Sequence, residues 1–184
     1  EIFRDLIMKQ NMQDQIPDFH KASGTFAALC YREEIETAMR TPGFGGFQLL
    51  DLQDFPGQGT ALVGVIDVFG HSKSFITPQQ FSRFCNTVVP MALLDKYCWT
   101  NGESFMADVV VSNYSPSDMK KSIISWSLKN KDGGLVLGEG KFETDLKQGD
   151  VNKAGGIKVD LSSLNKASKL NLSLTIDRTQ FAND

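Results

Sequence analysis

Near Tyr97 the spacing of apolar residues changes from helical to two, and that change divides the chain. Beyond it, Phe105, Ala107, Val109 and Val111 alternate with Met106, Asp108, Val110 and Ser112. Ile124, Trp126 and Leu128 alternate with Ser125, Ser127 and Lys129, and Leu135 to Phe142 follows as a partner run. Ile157, Val159 and Leu161, then Leu170, Leu172, Leu174 and Ile176, repeat the pattern. A period of two is that of a half-buried strand, so five to six short strands are expected, forming an antiparallel β-sandwich. Asn130-Lys131-Asp132-Gly133-Gly134 reads as a hairpin connection carrying an Asp-Gly pair. Trp126, mid-strand among apolar neighbours, is expected to anchor the core. The polar stretch from Asp177 to Asp184 suggests that a final strand is lacking and an edge left open, through which copies of the chain could pair.

Before the change, the chain reads as helices around one apolar run. Ile2, Phe3, Leu6 and Ile7 have helical spacing, Pro17 interrupts it, and Asp18 can cap a second helix over residues 19–40. Gly24 weakens the middle of that helix by roughly 1 kcal/mol against Ala, which predicts a kink or a close packing contact. Glu33, Glu34 and Glu36 read as solvated helix surface. Thr41-Pro42-Gly43 ends the helix. Phe47 to Leu52 then carries few polar residues, as a parallel strand covered on both faces would. Asp51, Gln53, Asp54, Phe55, Gly57, Gln58 and Gly59 follow as a polar, aromatic and flexible group. A buried strand delivering such a group at its C-terminal end is how an α/β barrel builds its active-site rim. After a loop holding His71, Thr77-Pro78-Gln79-Gln80 announces another helix through a capping box and a proline at the first helical position. Phe81, Phe84, Cys85 and Val88 make its stripe, and Pro90 closes it.

Composition narrows the function classes. A net charge of -3 gives no basic footprint for nucleic acid, and no apolar run is long enough to span a membrane. Cys30, Cys85 and Cys98 lack metal-ligand spacing and read as half-buried thiols; no cofactor is implied. Asp51 and Asp54 offer too few oxygens for a dedicated calcium site. The chain has no initiator Met or signal peptide, and Glu1 falls within a helical pattern, which suggests a piece of a longer polypeptide.

An αβ step whose strand ends in Gly-Gly-Phe-x-x-x-Asp-x-x-Asp, followed by a sandwich, resembles glycoside hydrolase family 2, the β-galactosidase and β-glucuronidase family. The likeness lies in FAALCYREEIETAMRTPGFGGFQLLDLQDFPGQGTALVGVID and in the alternating domain after it. Where the family's last barrel strand has Trp-Asp-Trp-x-Asp, Leu50 and Leu52 replace the tryptophans, while Asp51 and Asp54 stand. The resemblance implies an α+β, multidomain fold. Residues 1–94 would be the terminal helix–strand elements of a (β/α)8 barrel, and residues 95–184 an antiparallel immunoglobulin-like β-sandwich. It implies a carbohydrate partner, with Asp51, Asp54, Phe55 and Gln58 as substrate contacts, and a secreted or periplasmic parent enzyme. The two glutamates of the retaining mechanism would lie upstream, so no catalytic residue is assigned in this chain. The alternative is a non-catalytic carbohydrate-binding or protein-interaction sandwich, which would carry a row of exposed aromatics on one face.

Overall fold

The structure is a computed structural model that describes residues 2–59, 62–131, 134–177 and 182–183. It is a mixed α+β chain made of antiparallel sheets and a few helices, and it divides into two compact units. The first holds Glu1–Glu34 and Phe47–Phe81, the second Ile35–Gly46 and Ser82–Asp184.

Helix α1 spans Ile2–Lys9, and a 3-10 turn at Gln13–Gln15 leads into the 24-residue helix α2, Ile16–Met39. Pro17 lies in the first turn of α2, where its missing N–H would have had no helical partner. Gly24 marks close packing: a Cβ there would come within 2.2 Å of the Phe75 ring, which His20 also meets at 4.9 Å between centroids. The capping box forms as expected. The Thr77 N–H donates to the Gln80 side chain at 2.9 Å and the Gln80 N–H to the Thr77 hydroxyl at 3.1 Å, opening α3, Pro78–Phe84. That helix stops four residues short of Val88, which instead opens a strand containing Pro90. Pro90 is tolerated there because the strand lies at a sheet edge.

Residues 47–52 do not form the expected buried parallel strand. The segment is irregular, Leu50 is 82% exposed, and only Gln53 finds a parallel bridge, to Ile66. A parallel strand needs neighbours to take its backbone N–H and C=O groups. No further strand is paired with this segment among the described residues.

In the second unit the alternating segments all become strands. They are β1 (Val88–Leu93), β2 (Ser104–Asn113), β3 (Met119–Asn130), β4 (Val136–Leu146), β5 (Asp150–Asp160), β6 (Leu170–Ile176) and the two-residue β7 (Ala182–Asn183). One sheet runs β1-β2-β5 and the other β4-β3-β6-β7, and every pairing is antiparallel. Inward residues of both sheets share one core, with Phe105, Val109 and Val111 from the first and Ile124, Leu128, Leu174 and Ile176 from the second. Trp126 packs against that core as the alternation predicts. β1 places the start of the sheets before Leu94, so the strand domain reaches further back than the change of period. The Asn130 N–H donates to Leu135 across the β3–β4 connection, whose Asp132-Gly133 pair lies outside the described residues. Part of the polar C-terminal stretch is a strand after all: Ala182 and Asn183 extend the β6 edge, while residues 178–181 lie outside the described ones.

The outer face of the β1-β2-β5 sheet is half covered, against the simple alternation. Val89, Met91, Val110 and Ser112 point away from the shared core, yet all are buried. Their cover within this unit is Ile35–Gly46: Ile35 and Met39 are buried, the Ser112 hydroxyl donates to the Met39 carbonyl, and the Tyr114 hydroxyl donates to Phe44. Glu36 is therefore not solvated surface. It is buried, and its carboxylate accepts the Asn183 side-chain amide at 3.0 Å, which also donates to the Pro90 carbonyl at 3.1 Å. Glu33 and Glu34 are exposed as expected.

Ser122, fully buried on β3, carries a hydroxyl without a hydrogen-bond partner among the described residues. A buried hydroxyl left unpaired opposes folding, so Ser122→Ala should raise stability by about 1 kcal/mol. Chemical denaturation checks this; a lower midpoint at unchanged slope would mean that the hydroxyl is partnered.

Candidate functional site

Asp51, Asp54 and Phe55 do come together. Residues 51–56 and Val68 line an open depression of about 470 Å³, wholly within the first unit. Gln58 is exposed on the turn that follows and is not part of this lining.

The depression is built by stitching three short segments side by side. The Asp54 N–H donates to Ile66 at 3.0 Å and the Val65 N–H to Leu52 at 3.1 Å; the Lys73 N–H reaches Val65 at 3.2 Å and the Asp67 N–H reaches His71 at 2.8 Å. The Gln53 side-chain amide adds a bond to the Val68 carbonyl at 2.9 Å. Gly64 permits the closest approach, since a Cβ there would stand 2.6 Å from the Asp54 nitrogen.

The four expected contact residues differ in what they have to offer. Asp54 is buried, and its carboxylate is already engaged. Oδ1 accepts the Gly64 N–H at 3.0 Å, and the Lys73 ammonium bonds both oxygens at 2.9 and 3.0 Å. The same ammonium donates to the Leu62 carbonyl at 3.0 Å and lies 5.7 Å from the centre of the Phe75 ring. Asp51 sits on the rim with φ +66, a left-handed conformation that Asp adopts more readily than most residues. Its carbonyl accepts from the Tyr31 hydroxyl at 3.1 Å, and the Val63 carbonyl lies 3.3 Å from the same hydroxyl. Phe55 is half exposed, but its ring rests on Gly57, where a Cβ would be 2.5 Å away. It offers a flat apolar face held in place before any ligand arrives.

Tyr31 shows the sign of the local field. Burial raises its hydroxyl above the usual tyrosine range, and the charges of Asp51, Asp54 and Glu34 push it further up. Below the depression, Asp67 closes the 67–71 turn by accepting the N–H groups of Phe69 and His71 at 2.9 and 2.8 Å. The His71 N–H is the main cause that holds this carboxyl below its ordinary value. His71 itself is an exposed loop residue, its ring 3.3 Å from the Asp67 carboxylate.

Lys73, Tyr31 and Gly64 are the site residues that the sequence reading passed over. Lys73 stands alone between two serines and Gly64 inside a Val-Gly-Val run, so neither forms a pattern. Tyr31 follows helical spacing three residues before Glu34, which offered a weak signal at most.

Among the described residues no group of three or more His, Cys, Asp or Glu is placed to hold a metal ion, and no helix is long and apolar enough to cross a membrane. Cys30 and Cys98 are exposed, so only Cys85 fits the half-buried expectation, and burial raises its thiol.

A family model described as a domain of unknown function (DUF8488) matches residues 103–184. That stretch covers β2 to β7 and leaves the depression outside it. No curated protein matches the chain.

Proposed function

We propose that the chain is the C-terminal part of a carbohydrate-active glycoside hydrolase of the family 2 type. It contributes a sugar-contacting rim and an immunoglobulin-like sandwich to the hydrolysis of O-glycosidic bonds, while the catalytic carboxylate pair comes from polypeptide outside this chain. Beside the motif resemblance, one observation carries the reading: the first unit has almost no core of its own. Ala28 and Val65 are its buried apolar side chains among the described residues, while Phe19, Phe26, Leu29, Leu50, Leu62 and Phe69 stand exposed. Phe26 at 68% and Phe69 at 80% are far from the burial such rings ordinarily find.

An exposed apolar face of this kind suits helices and loops that pack against the remaining strands of a barrel. On this reading the chain by itself holds sugar weakly, because a barrel site gathers groups from several strand ends.

The alternative, a free-standing binding sandwich, calls for a row of exposed aromatics. Phe105 is buried, and Trp99, Trp126 and Phe142 pack against the shared core, so these rings do not supply one. A direct test is titration of the chain with methyl β-glucoside, followed by amide NMR. Shifts are expected at residues 51–56, and Asp51→Asn should weaken them at least about tenfold, as loss of a hydrogen bond made by a charged group does. Shifts confined to the strands of the second unit would favour the binding-sandwich reading.

A further inference from the structure

We propose that the depression takes neutral glycosides and turns away anionic ones, such as uronides and sulfated sugars. The inference rests on the sugar-contact reading above and narrows it to a substrate class. A carboxylate or sulfate is held most strongly where a guanidinium or ammonium with free donors touches it directly. None of the described residues lining the depression is Lys, Arg or His. The nearest ammonium bonded into its wall, that of Lys73, is turned inward and consumed. Both Asp54 oxygens and the Leu62 carbonyl take its three donors, and the side chain is only 15% exposed. Asp51, whose carboxylate has no cation bonded to it among the described residues, and the half-exposed Phe55 are both part of the lining.

The Asp54–Lys73 pair is neutral as a unit, so the uncompensated charge left at the rim is negative. The raised Tyr31 hydroxyl, driven partly by Asp51, Asp54 and Glu34, reports the same field from below. A sugar carboxylate brought beside Asp51 would meet like charge with no counter-ion, which is unfavourable at any effective dielectric of a protein surface. A neutral hexoside meets an acceptor for its hydroxyls and a flat apolar face for its ring, which are the two contacts that an uncharged sugar uses.

The experiment compares methyl β-glucoside with methyl β-glucuronide, which differ only in oxidation at C6, by amide NMR on the whole chain. The glucoside is expected to shift residues 51–56 at concentrations at least about tenfold below those the glucuronide needs. Asp51→Asn should narrow that gap by weakening the glucoside and relieving the repulsion of the glucuronide. Asp54→Asn should release the Lys73 ammonium and strengthen the glucuronide at least about tenfold over the unaltered chain. Equal or tighter binding of the glucuronide by the unaltered chain would overturn the inference. If neither glycoside binds the unaltered chain, the sugar-contact reading fails while the charge argument is still read from the glucuronide alone. It then stands if the glucuronide shifts the Lys73 signals in Asp54→Asn and not in the unaltered chain, and it falls if the two respond alike or neither responds. Should Asp54→Asn disorder the loop, comparison of the two glycosides on Asp51→Asn and on the unaltered chain decides.

Discussion

Lys73→Met should dismantle the loops of the first unit. The substitution keeps an apolar stem of similar length and removes the charge, leaving the Asp54 carboxylate buried with the Gly64 N–H as its one remaining partner among the described residues. Breaking a buried pair from one side costs about 3–5 kcal/mol, because the abandoned ion is neither solvated nor matched. A unit whose buried apolar side chains among the described residues are Ala28 and Val65 has little stability to set against that. The amides of Val65 and Asp67, which bond Leu52 and His71, should lose their hydrogen-exchange protection, while those of β2 and β3 keep theirs. Adding Asp54→Asn to Lys73→Met should restore part of the protection by removing the stranded charge. If the single and double variants exchange alike, the pair is not what holds the segments together.

A second large effect is expected on the other unit. Met91 lies on the outer face of its sheet with 0% of its surface exposed, opposite Val110 in the register. Met91→Asp would place a carboxylate in a fully buried position beneath Ile35–Gly46, at a cost of several kcal/mol. Met106→Asp is the control: it lies on the same outer face but is 55% exposed, and a surface change of this kind stays within about 0.5 kcal/mol. Denaturant unfolding of the two variants measures the difference directly. Equal, small effects would mean that the segment Ile35–Gly46 does not cover the sheet.

These expectations also show which parts of the molecule were legible beforehand. Strand alternation was, because one face of each strand meets the shared core: Ile124, Leu128, Leu174 and Ile176 are all buried as their spacing predicts. The box at Thr77 and Gln80 was legible because its chemistry is local to four residues. Val88 and Pro90 were misplaced because three-and-four spacing from Phe81 continues into a strand whose pairing, to Asn113 and Val111, is invisible locally. Glu36 looked like surface because its partner Asn183 lies 147 residues away. The burial of Ser112 on the outer face was hidden for the same reason, since its hydroxyl bonds Met39, 73 residues away.

The site divides in the same manner. A cluster of acids, an aromatic and glycines marked residues 51–58 as a place where the chain does something other than pack. The sequence could not apportion roles between Asp51 and Asp54, because the difference is made by Lys73, 19 residues on, whose ammonium claims one carboxylate and leaves the other. Nor could it show that Phe47 to Leu52 would lie open here, since a buried parallel strand is defined by neighbours as much as by its own apolar residues.

The most direct test of the proposed role is the hydrolysis of a panel of aryl β-glycosides by this chain, measured beside the longer, upstream-extended polypeptide that the proposal calls for. Retaining hydrolysis needs a nucleophile and a proton donor about 5 Å apart across the bond, and a single rim aspartate cannot serve as both. The expected result is no turnover by the chain alone, turnover by the longer polypeptide, and an Asp51→Asn change in the latter that mainly raises KM. Turnover by the chain alone that Asp51→Asn abolishes would place the chemistry within these residues and contradict the assignment.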